Sequence, residues 1–113
     1  MNHHAETRDD VVVVLFEGDI DLDSSPAARK ILLGHVEAKM PVVVDLSKVT
    51  YIDSSGIASL VEAFQTSRKH GQPFALAAVS SSALRVFKLA RLDTVFSIAE
   101  TVEEAITGIN GDR

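Results

Sequence analysis

Residues 42–60 read VVVDLSKVTYIDSSGIASL, and the way this stretch is divided decides the fold. Its first part, Val42 to Leu46, is apolar and β-branched apart from Asp45, which is the composition of a strand buried on both faces. From Ile57 onward the period changes. Ile57, Leu60, Val61 and Phe64 fall at i, i+3, i+4 and i+7, while Glu62, Gln65, Arg68 and Lys69 take the other side. That spacing predicts an amphipathic helix. Gly71, suited to a left-handed C′ position, and Pro73 end it near His70. A strand therefore passes into a helix through Lys48 to Ser55.

The same unit recurs on either side. Val11 to Phe16 (VVVVLF) predicts a buried strand, and Ser24-Ser25-Pro26 then starts a helix, with Ser25 as N-cap and Pro26 at the first helical position. Ala28, Ile31, Leu32 and Val36 form its inward stripe. Phe74 to Val79 predicts another strand. Ser80 to Ser82 cap a third helix that turns Ala83, Val86, Phe87 and Ala90 inward and Arg85, Lys88 and Arg91 outward. Val95 to Ile98 is a short last strand. From Thr101, the run T-V-E-E forms a capping box for a final helix built on Val102, Ala105, Ile106 and Ile109. His3 to Thr7 are expected to pair with the first long strand through a turn at Arg8 to Asp10, although two aspartates make a poorer turn than Asn-Gly.

The order (β)βαβαβαβα predicts one α/β domain spanning residues 1–113, a mostly parallel sheet of four to five strands with about four helices. Its core would run from about residue 11 to 109, with residues 1–8 and 110–113 fraying. Loops leaving the C-terminal ends of parallel strands gather at one edge. Gly18 to Asp23 and Lys48 to Ser55 should accordingly be neighbours, with the Asp53-Ser54-Ser55-Gly56 motif facing Asp19, Asp21 and Asp23.

Composition narrows the chemistry. At 113 residues and 46% hydrophobic, the chain can bury a core, and it has no cysteine for a disulfide, thiolate metal site or thiol nucleophile. A net charge of -5 argues against direct nucleic-acid binding and fits a basic protein partner. The apolar runs are too short to span a bilayer and no secretory signal opens the chain, so a cytoplasmic protein without membrane association is expected.

Each chemistry open to the serines makes demands the sequence can be held to. A hydrolase elbow, G-x-S-x-G around Ser55, would need glycines where Asp53 and Ile57 stand. It would also need a base, yet His35 ends one helix and His70 lies at the far end of another, about 20 Å along its axis from Ser55. A phosphate cradle would need more glycine and a lysine. A phosphate-accepting receiver domain would need a lysine after the last strand, where Ile98-Ala-Glu-Thr stands. Alternate Asp19, Asp21 and Asp23 fit a solvated loop more simply than a metal site. No catalytic residue, metal or cofactor is expected. Asp53 or Ser54 as a helix cap, with Gly56 permitting close backbone approach, accounts for the motif structurally.

The quoted stretch, the earlier GDIDLDSSPA and the later ALRVFKLARLDTVFSIAETVEEAI resemble the STAS domain family, especially its free-standing anti-sigma factor antagonists, from Val11 to about Ile106. The resemblance implies a module that, unphosphorylated, binds an anti-sigma factor and so releases a sigma factor. The anti-sigma factor is itself a serine kinase that phosphorylates the second serine of DSSG, and a PP2C-type phosphatase reverses the step. By position the acceptor is Ser55, with Ser54 the alternative. Asp53, Ser54 and Gly56 complete the motif, and Asp21 matches an acidic residue near the acceptor. Together with Asp19 and Asp23 these would form the partner-binding surface of a monomer or weak homodimer. The family also implies a second possibility, a constitutive scaffold gripping a transporter ATPase or a stress-signalling assembly. One departure stands out: Arg91 precedes Leu92 where family members commonly have glycine.

Overall fold

The strands cross the sheet in chain order: β1 (Asn2–Arg8), β2 (Val11–Ile20), β3 (Val42–Ile52), β4 (Phe74–Ala77) and β5 (Ser97–Ala99). The structure is a computed structural model that describes residues 1–111. β1 runs antiparallel to β2, and every later pair is parallel. Successive right-handed crossovers that always step the same way across a sheet put their helices on one face. The helices α1 (Ser25–Glu37), α2 (Ser54–Lys69) and α3 (Ser81–Leu89) accordingly cover one core, built on Phe16, Ile20, Leu32, Leu46, Ile52, Leu60 and Phe87. The last helix, α4 (Val102–Gly111), lies over the other face and buries Val102, Ala105, Ile106 and Ile109 against Val11, Val13 and Val43.

Several boundaries differ from expectation, each for a local reason. β2 and β3 continue beyond Phe16 and Leu46, so much of the two expected loops is strand. Two register shifts against β2 let β3 carry extra residues, and Leu46, Val49 and Ile52 reach the same core at a spacing of three. Bulges of this kind hide the period of two on which a strand is recognised. β1 is paired from Asn2 rather than frayed, and its turn is Asp9-Asp10 with φ of 52° and 66°. This is the mirror-image geometry of a two-residue hairpin, which aspartate tolerates better than most residues.

Ser24, not Ser25, is the N-cap of α1, and Ser25 is buried. In α2 the buried side includes Gly56, Ser59, Ala63 and Ser67, with Val61 and Phe64 only partly covered. Small residues there allow close approach to α1, where Arg29 grips Glu62 through two hydrogen bonds of 2.9 and 2.7 Å. The end of α2 is a Schellman motif, as Gly71 (φ 67°) and the bonds from Gln72 N to Ser67 O and Gly71 N to Arg68 O demonstrate.

β4 stops at Ala77, where Ala78 turns to positive φ. Ala90 is exposed rather than inward, because α3 ends at Leu89. Arg91, where the resemblance implied glycine, then takes the left-handed conformation (φ 59°, ψ 28°), and a single 3-10 turn, Leu92–Thr94, leads into β5. Val95, expected in the strand, is exposed. At the C-terminus Gly111 belongs to α4, while residues 112–113 lie outside the described residues.

Candidate functional site

Asp53 sits in extended backbone (φ -108°, ψ -173°) between β3 and α2 and caps the helix. Its Oδ1 accepts hydrogen bonds from the backbone N–H of Ser55 at 2.9 Å and of Gly56 at 3.1 Å, two of the donors that a helix start leaves without partners. The same oxygen accepts the hydroxyl of Ser55 at 2.5 Å. That hydroxyl bond first, and then the N–H groups of Gly56, Ser55 and Leu22, hold the Asp53 carboxyl below its ordinary value, although partial burial opposes them. Ser55 is half-buried and Ser54 exposed.

Gly56 explains why the motif stands where it does. A Cβ there would lie 2.7 Å from the backbone O of Ile20, 2.7 Å from Ile52 Cγ1 and 2.9 Å from Ile20 Cγ2. Real Cβ contacts are never that short, so only glycine lets the first turn of α2 rest on the ends of β2 and β3. The N–H of Asp53 completes the join by donating to Ile20 O at 3.2 Å.

The strand register brings the acidic segment beside this helix start: Asp19 lies opposite Tyr51 and Ile20 opposite Ile52. Asp21 builds its own turn, accepting from the N–H groups of Asp23 and Ser24, both at 3.1 Å, while its N–H donates to Ser24 Oγ at 2.9 Å. The Ser24 backbone bond, then its hydroxyl, lowers the Asp21 carboxyl, and the charge of Asp53 pushes it the other way. Asp21 follows Ile20, whose carbonyl accepts from Asp53 N at 3.2 Å, so both aspartates stand at the same join. Asp19 accepts from Thr50 Oγ1 at 2.7 Å. Asp23 is exposed, tied to the turn by its backbone alone. The structure thus brings Asp19, Asp21, Asp53, Ser54, Ser55 and Gly56 together at one edge, with Asp23 at its rim.

Thr50, Leu22 and Tyr51 were not singled out by sequence. Leu22 is 74% exposed and Tyr51 53% exposed beside the motif. The available signal was a leucine inside an otherwise acidic D-I-D-L-D run. No group of three or more potential metal ligands occurs among the described residues. No described helix is long and apolar enough to cross a membrane.

Residues 2–105 match the STAS domain family, and the chain belongs to it. Within that family it is similar to the anti-sigma-F factor antagonist RsfB of Mycobacterium tuberculosis, at 36% identity over 107 residues that cover 91% of this chain and 84% of the relative. Among solved structures, an anti-sigma factor antagonist from Mycobacterium paratuberculosis superposes with a TM-score of 0.89 at 28% identity, covering 96% of this chain and 93% of that one. The fold is also that of the Bacillus cell fate determinant SpoIIAA, known in an unphosphorylated form (TM-score 0.81, 21% identity, 97% of each chain) and a phosphorylated form (TM-score 0.74, 18% identity, 96% and 99%).

Proposed function

We propose that this chain is an anti-sigma factor antagonist that acts by binding rather than catalysis, and that phosphorylation of Ser55 switches the binding off. One observation carries the reading: the Ser55 hydroxyl lies at the start of α2, on the sheet's loop edge, bonded to the capping carboxylate of Asp53. Unphosphorylated, this edge is a preformed surface for the anti-sigma factor. Phosphorylation by that factor's own kinase activity would replace the hydroxyl proton with a group of about -1.5 to -2 charge. The bond to Asp53 is then lost, and the phosphate meets the charges of Asp53 and Asp21. Against a docked partner, such a juxtaposition of like charges costs roughly several kcal/mol. The helix start favours the added charge, so the fold itself persists. A PP2C-type phosphatase in the same cytoplasm would restore the binding form.

The test uses the purified anti-sigma factor kinase of the same genome with Mg-ATP. One phosphate should be found on Ser55; Ser55→Ala should accept none, and Ser54→Ala should still be modified. In titrations with the same kinase, Ser55→Asp should bind at least tenfold more weakly than Ser55→Ala. Equal affinities would sink the switch and favour a constitutive scaffold.

A further inference from the structure

The surface beside Ser55 combines two features of opposite chemistry. The carboxylates of Asp19, Asp21 and Asp53 are held by hydroxyl and N–H donors and not by cations, since the ion pairs among the described residues, Arg8 with Glu6 and Glu103 and Arg29 with Glu62, lie elsewhere. Between them stand exposed apolar side chains. Leu22 stands in the turn closed by Ser25 N donating to Asp21 O at 2.8 Å, and Tyr51 lies opposite Asp19 two residues before Asp53. Single exposed hydrophobic residues need no explanation. Two of them on one acidic edge, one in a hydrogen-bonded turn and the other on a paired strand, are preorganised for burial, and aromatic and aliphatic anchors inside a polar rim are the usual energetic centre of an interface.

We propose that Leu22 and Tyr51 are the apolar anchors of this surface, and that the partner receives them in apolar recesses rimmed by lysine or arginine. The inference rests on the antagonist reading and names the partner chemistry it requires. Charge complementarity selects this edge over the exposed Leu89 at the end of α3, whose neighbours Arg85, Lys88 and Arg91 would call for the opposite partner. Because Ser55 opens α2 on the same edge, a phosphate there would stand beside the contacts that the anchors make.

The experiment is titration of the anti-sigma factor kinase with wild type, Leu22→Ala, Tyr51→Ala and Leu89→Ala, each first checked for an unchanged unfolding midpoint. Leu22→Ala and Tyr51→Ala should each weaken binding at least tenfold, chiefly through faster dissociation. Leu89→Ala should stay within about twofold of wild type. Asp23→Asn should slow association and flatten its salt dependence. If wild type binds and Ser55→Asp releases it, yet Leu22→Ala and Tyr51→Ala bind as wild type does, the inference is overturned and the switch stands. If wild type does not bind the kinase at all, the antagonist reading fails and takes the anchors with it.

Discussion

Gly56 shows how little room the motif has. With a Cβ only 2.7 Å from the Ile20 carbonyl, Gly56→Ala must push the first turn of α2 off the sheet. Overpacking of this kind costs about 1–3 kcal/mol. Urea denaturation should register that loss, and the displaced Ser55 should be phosphorylated more slowly; wild-type stability would mean that the contact relaxes freely. Asp53 makes a prediction about pH. Its folded pKa lies below the ordinary value of 3.8, so its contribution to stability is fully present above that value and fades as pH falls through the folded one. Thermal midpoints of wild type should therefore drop below about pH 4 more steeply than those of Asp53→Asn, which keeps a cap oxygen but cannot titrate.

At the scale of elements, the end of α3 invites repair. Arg91 sits at φ 59°, where an L-residue with a side chain is strained by about 1–2 kcal/mol, against the extra chain entropy that glycine adds to the unfolded state. Arg91→Gly should raise stability by roughly 0.5–1 kcal/mol in urea titrations. A drop would mean that the arginine side chain makes a compensating contact. This departure was visible only through the family resemblance, which puts glycine here, because an arginine by itself gives no sign of a left-handed position. Helices were legible from their own residues: Val102, Ala105, Ile106 and Ile109 are all buried at their expected spacing, and Thr101 Oγ1 accepts from Glu104 N at 3.0 Å. The long strands were half hidden, since bulges in β3 replace alternation by a spacing that no strand template contains. The Asp9-Asp10 hairpin was hard to read because aspartate is tolerated at positive φ without being demanded there.

For the whole molecule, connectivity foretold that the loops after β2 and β3 share an edge, and the pairing of Asp19 with Tyr51 bears this out. It could not foretell which side chains would be left uncovered, because the exposure of Leu22 and Tyr51 follows from packing rather than from residue type. The division of helices between faces leads to a further expectation. Truncating Ile106 to alanine in α4 should cost about 2–4 kcal/mol, as for a buried aliphatic residue, and yet leave kinase affinity unchanged, since α4 buries it against the sheet face opposite α2. Parallel urea and binding titrations would check both halves, and weakened binding by folded protein would mean that the faces communicate.

The bond between Asp53 N–H and Ile20 O, with Gly56 pressed against the same carbonyl, has a kinetic consequence. It mounts Ser55 on the sheet itself instead of on a swinging loop. Under the proposed function, a partner meeting this edge would wait for no rearrangement and lose little entropy in ordering it, so encounter should be governed by diffusion and long-range charge, and the lifetime of the complex by the state of Ser55.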